Sequence, residues 1–107
     1  MKLIIAIVSN DDSSKVSSAL TKERFQVTKL ATTGGFLLAG NTTFLIGTED
    51  EKVDRVIELI SAHSKKRTQM VPSSASYGVG MYTSMPIEVQ VGGATIFVVD
   101  VDRFEKV

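Results

Sequence analysis

The apolar positions of this chain change period as the sequence advances, and each period predicts a different element. Lys2 to Val8 is a nearly unbroken, isoleucine-rich run and reads as a buried strand. Asn10, Asp11, Asp12 and Ser13 then mark a turn and supply helix N-cap candidates. Val16, Ala19 and Leu20 recur at helical spacing, which predicts a short amphipathic helix ending near Arg24. From Phe25 to Thr33 the period is two. Phe25, Val27, Lys29 and Ala31 share one face, and Gln26, Thr28, Leu30 and Thr32 the other. Neither face is cleanly apolar, so this is an edge or interface strand. A glycine-bearing connection, Gly34 to Gly40, leads to a further strand, Asn41 to Gly47, and the pair suggests a hairpin.

The second helix carries the clearest signals. Thr48 and Glu51 have capping-box spacing, and Val53, Val56, Ile57 and Ile60 form one apolar stripe. Acidic Glu49, Asp50 and Glu51 open it and basic Lys65, Lys66 and Arg67 follow it, as the helix dipole favours. Thr68 to Val71 reads as a fourth strand, and Pro72 to Pro86 as a long flexible loop. Two β-branched runs, Ile87 to Val91 and Ala94 to Val101, flank Gly92-Gly93 and suggest a final hairpin. The order is strand, helix, strand, strand, helix, strand. It predicts one α+β domain over residues 1–107, ferredoxin-like (βαββαβ), with an additional C-terminal β-hairpin.

One segment departs from ordinary loop chemistry. Phe36, Leu37 and Leu38 are large and apolar, yet they sit in a hairpin connection, where polar residues are the rule. They serve either a ligand or partner, or packing onto the chain's own core or an oligomer. The neighbouring residues favour a ligand. Glycine amides can form an anion-binding nest, Thr28, Thr32 and Thr33 offer hydroxyls, and the Asn41 amide can pair with an adenine edge. Phe36 could stack on a base.

Composition narrows the classes. The chain has 107 residues and a formal net charge of +0, which argues against a protein built for bulk nucleic acid or an anionic membrane. With no cysteine, thiolate metal sites, disulfides and cysteine nucleophiles are excluded. His63 is the single histidine, sits near a helix end, and has no carboxylate at metal-ligand spacing, so neither a metal nor a cofactor is expected. Asp11-Asp12 reads as turn and cap chemistry, Asp100 and Asp102 as solvated, and Lys65-Lys66-Arg67 as a solvated helix end. Tyr77, Met81 and Tyr82 punctuate the long loop, as anchors or as a lid over ligand. The apolar opening is too short to span a membrane and lacks the parts of a signal peptide, so a cytoplasmic protein without enzymatic activity is expected.

The run Thr28-Lys29-Leu30-Ala31-Thr32-Thr33-Gly34-Gly35-Phe36-Leu37, followed by Gly40-Asn41-Thr42-Thr43-Phe44, resembles the PII-like cyclic-di-AMP receptor family. Met1 to Val8 matches as well, as do Glu88-Val89 and Val91 to Val98, so the likeness covers nearly the whole chain. The resemblance implies a non-catalytic signalling receptor: a homotrimer with one cyclic-di-AMP in each cleft between subunits, passing occupancy to an unidentified downstream protein. It places Thr28, Gly35, Phe36, Leu37, Asn41 and Gly47 at the ligand, with Gly92 and Gly93 close by from the neighbouring subunit. Family receptors commonly carry arginine where this chain has Gln26, and a Gly-Gly-Asn-containing stretch where it has Ser73 to Gly80. Glutamine can hydrogen-bond a ligand but brings no charge. Two other readings stay open: a PII-like sensor of ATP or ADP, and a trimeric interaction module without a small ligand.

Overall fold

The computed structural model describes residues 1–31, 40–72 and 86–107. Its elements are β1 (Lys2–Ser9), α1 (Asn10–Lys22), β2 (Val27–Ala31), β3 (Asn41–Thr48), α2 (Val53–Ala62, entered through a 3-10 turn at Asp50–Lys52), β4 (Arg67–Pro72), β5 (Pro86–Val91) and β6 (Ala94–Asp100). Four strands form an antiparallel sheet in the order β2-β3-β1-β6, and β4 and β5 pair in a separate two-stranded sheet. Without the β4–β5 ribbon the chain is β1-α1-β2-β3-α2-β6. This is the ferredoxin-like arrangement of two interleaved split βαβ units.

The expected α+β class with an additional hairpin therefore holds, but the pairing within it differs. Thr68 to Val71 is not the fourth strand of the main sheet, and the runs flanking Gly92-Gly93 do not pair with each other. β6 takes the open edge of β1, from Lys2↔Asp100 to Val8↔Ala94. β5 turns back on β4, from Arg67↔Val91 to Pro72↔Pro86. The ribbon is thus an insertion between α2 and the last core strand. Residues 73–85, the interior of the expected long loop with Tyr77, Met81 and Tyr82, lie outside the described residues.

Register decides which side chains form the core. Ile4↔Ile46 and Ala6↔Phe44 lie on the sheet face beneath the helices, and all four are fully buried. Val16 and Leu20 of α1 and Val56, Leu59 and Ile60 of α2 close over them. The other set of β1 positions, Leu3, Ile5 and Ile7, is apolar too and faces away from the helices. Its neighbours across the ladders include Leu45, Phe97 and Val99. An antiparallel sheet with a solvated face alternates apolar and polar residues; β1 does not, and Phe97 stands 52% exposed.

Helix starts differ in detail from expectation. The N-cap of α1 is Ser9, whose Oγ accepts the Asp11 N–H at 3.3 Å, so Asn10 opens the helix proper. The Thr48–Glu51 capping box does not form, and no side chain caps either the 3-10 turn or α2. Thr48 is held in the β3 ladder opposite Lys2 and buried on the helix side, which removes it from the cap.

Candidate functional site

A cleft of about 770 Å³ opens where β2 begins and β3 ends. Gln26, Thr28 and Gly47, three residues singled out from sequence, line it. The β2–β3 register explains the grouping. Val27 pairs with Ile46 and Thr28 with Leu45, which sets Gln26 beside Gly47. Gly47 has open space around its α-carbon: an added β-carbon would meet no atom within 4 Å. The floor is apolar, with Leu3, Leu45, Phe25, Val101 and Phe104, and the rim is polar, with Gln26, Thr28, Thr48, Arg24 and Lys52. An apolar floor with a few convergent polar groups suits a ligand that has a flat ring and an ionic group.

The turn leading into the cleft is built by the end of α1. Glu23 is the C-cap, the Arg24 N–H donates to Thr21 O at 2.9 Å, and the Phe25 N–H donates to Leu20 O at 3.1 Å. These two reversed bonds make a Schellman motif, and Phe25 completes it by packing against the core that contains Leu20. The motif requires a left-handed residue, and here that residue is Arg24 at φ 67°. A side chain there costs about 1–2 kcal/mol relative to ordinary backbone. Glu23, also on the cleft wall, is engaged by Arg55, whose Nε donates to Oε1 at 2.8 Å. That hydrogen bond, helped by the charge of the guanidinium, holds the Glu23 carboxyl below its ordinary range.

The remaining predicted residues lie elsewhere. Asn41 starts β3 opposite Ser9, six residues from Gly47 and so about 20 Å away along the strand. With Gly92, Gly93 and Lys66 it lines a smaller pocket of about 240 Å³ at the other end of the sheet. Asn10 fixes this corner: its N–H donates to Gly40 O at 3.0 Å, and its side-chain oxygen accepts the Thr42 hydroxyl. Gly92 and Gly93, both at φ 84°, make the corner between the ribbon and β6. A β-carbon on Gly92 would collide with Lys65 O and come within 2.7 Å of Arg67 Nη1, and the Gly93 N–H donates to Ser64 O. Both glycines therefore have a packing reason to be glycine. Gly35, Phe36 and Leu37 lie outside the described residues.

Sequence reasoning missed Arg24, Lys52 and Phe104 as cleft residues. For Arg24 a signal existed: the chain from Thr21 to Gln26 must leave a helix and enter a strand, and it contains neither glycine nor asparagine to take the left-handed position. Among the described residues, no group of three or more His, Asp or Glu side chains is placed to hold a metal ion, and no helix is long and apolar enough to cross a membrane.

A crystal structure of a functionally unknown protein from Pediococcus pentosaceus ATCC 25745 is similar, with 43% identity and a TM-score of 0.76, covering 99% of this chain and 96% of that one. The family model described as cyclic-di-AMP receptor matches residues 1–107. The chain belongs to the cyclic-di-AMP receptor family.

Proposed function

We propose that this protein is a non-catalytic receptor that binds cyclic-di-AMP in clefts between the subunits of a homotrimer, and that it works in the cytoplasm without cofactor or metal. The observation that carries the reading is the juxtaposition of Gln26, Thr28 and Gly47 around one cleft, beside an apolar sheet face that no described helix or strand covers. In this reading the apolar floor receives an adenine ring and the rim holds the polar and phosphate groups. Gly35, Phe36, Leu37 and Asn41 form a second wall, and Gly92 and Gly93 approach from the neighbouring subunit. The open face of β1, β3 and β6 supplies the trimer contact, since burying Phe97, Val99 and Leu30 gives about 25 cal/mol for each Å² of apolar surface removed from water. A trimer also brings together pockets that one subunit keeps about 20 Å apart along a strand.

Isothermal calorimetry tests the reading. Cyclic-di-AMP is expected to saturate near one molecule per subunit. Absence of heat with cyclic-di-AMP, beside clear heat with ATP, rejects it in favour of a sensor of a mononucleotide. The neutral Gln26 on the rim is the observation that keeps this second reading in view. A thermal-shift comparison of cyclic-di-AMP, ATP and ADP separates the two, because a ligand that binds only the folded state raises the melting temperature. Occupancy would reach a downstream protein through the segments that flank the cleft.

A further inference from the structure

Arg24 is the one residue other than glycine with a positive φ among the described residues. It occupies the position in a helix-ending motif that glycine fills by preference, because a β-carbon there crowds the following carbonyl. Backbone strain of this kind persists only where the surrounding structure holds it, and it concentrates at functional sites. A second observation concerns charge. Arg55, Arg67 and Arg103 each hold a carboxylate. The Arg24 side chain has no hydrogen bond or ion pair among the described residues, although Glu23 is its neighbour in sequence. Glu23 is taken by Arg55. Among the described residues, the cleft lining that includes Gln26 and Thr28 thus also holds a guanidinium without an ion-pair partner.

We propose that Arg24 is a specificity-determining residue of the cleft, where its guanidinium takes a phosphate of the bound nucleotide. The proposal rests on the receptor reading above. The planar guanidinium matches two phosphate oxygens at once, and its charge answers theirs. Gln26 brings hydrogen-bonding capacity to the same wall and Thr28 a hydroxyl, but neither brings charge. Division of labour follows: the neutral pair reads the neutral edges of the ligand, and Arg24 reads its anionic linkage. A cation at this place could instead serve the α1 dipole, but Lys22 already stands in the last turn.

The test uses the full-length chain, with calorimetry against cyclic-di-AMP at low and high salt and thermal melts without ligand. R24G and R24N suit the left-handed position, so both are expected to melt at or above the wild-type temperature. Both are expected to bind cyclic-di-AMP about tenfold to a hundredfold more weakly, the loss of one charge-assisted hydrogen-bonding group. Their affinity should also vary less with salt than that of wild type, because a screened charge has gone. R24K keeps the charge without the fork and is expected to fall between. Wild-type affinity in R24G and R24N overturns the proposal and leaves the receptor reading standing. So does a loss of affinity in R24G that accompanies a lowered melting temperature and is absent from R24N. Wild-type protein that gives no heat with cyclic-di-AMP overturns both readings.

Discussion

Arg67, the first residue of β4, grips Asp12 in the first turn of α1 with both arms of its guanidinium: Nη2 meets Oδ1 at 3.0 Å and Nη1 meets Oδ2 at 3.2 Å. The Asp12 side chain is 2% exposed, whereas that of Arg67 is 44% exposed. One partner is therefore desolvated and depends on the other. The same Nη1 reaches Lys65 O at 3.2 Å, so the guanidinium also stiffens the turn out of α2. This contact, together with the Gly92 corner, moors a two-stranded ribbon that would be marginal alone.

Removing either partner should loosen the ribbon. Asp12→Ala is expected to destabilise the fold by about 2 kcal/mol, the range of lost hydrogen bonds to a charged group. Arg67→Ala should also lower stability, because it leaves a buried carboxylate without its cation. Hydrogen exchange read by mass spectrometry should show faster exchange in β4 and β5 than in β1 and β3. Equal acceleration across all four strands would refute the mooring role.

The glycines should separate into two kinds. Gly92→Ala must accommodate φ 84° and a collision with Lys65 O, so a loss of about 2 kcal/mol is expected in chemical denaturation. Gly47→Ala meets nothing within 4 Å and should leave stability within about 0.5 kcal/mol of wild type. If ligand lies against Gly47, that same variant should bind cyclic-di-AMP more weakly by calorimetry. Unchanged binding would remove Gly47 from the site.

The uncovered sheet face gives a prediction about assembly. Phe97 is 52% exposed, opposite Ile5, and is not among the residues that line the cleft. Phe97→Glu should tolerate folding of the subunit but prevent burial of the face, since a charge there would be desolvated without a partner. Sedimentation velocity is expected to give a trimer mass for wild type and a smaller species for the variant. A trimer of Phe97→Glu would mean that subunits meet elsewhere.

Acid should weaken the contact between the two helices. The hydrogen bond from Arg55 lowers the Glu23 pKa below its ordinary value of 4.5. A group with a depressed folded pKa contributes stability above its unfolded pKa and loses it as pH falls through the folded one. The stability of wild type should therefore decline more steeply below about pH 4.5 than that of Glu23→Gln. The effect is small because both side chains are partly solvated. Denaturation midpoints from pH 3 to 7, which parallel one another in the two proteins, would show that the pair contributes nothing.

Local patterns carried much of the fold and little of its long-range pairing. The isoleucine run of β1, the stripe of α2 and the mixed faces of β2 each identified an element, because each reflects burial of neighbouring side chains. Leu59 escaped the stripe although it is buried, since an apolar face is broader than one line of residues. The partner of β1 could not be read in the same way. Gly92-Gly93 between two β-branched runs is a sound local hairpin signal, yet the competition was won elsewhere: the open edge of β1 took β6, and β5 took β4. In the site, the alternation of β2 put Gln26 and Thr28 on one face, whereas Gly47 entered only through the family resemblance; the β2–β3 ladder brings the three together. Arg24 escaped because its significance lies in backbone conformation, which residue type alone does not display.

The pairing of Lys2 with Asp100 joins residues 98 positions apart. During synthesis the strand that covers the outer edge of β1 is made only after every other element of this fold. Until then β1 can pair with β3 on one side, but on the other it offers a row of unsatisfied amides and carbonyls flanked by isoleucines. An edge of that kind invites pairing with other chains. Contacts between residues so distant also form slowly, since a long loop must close first. The nascent subunit thus keeps this adhesive edge until β6 has been made, and a chain cut short before Ala94 would never cover it.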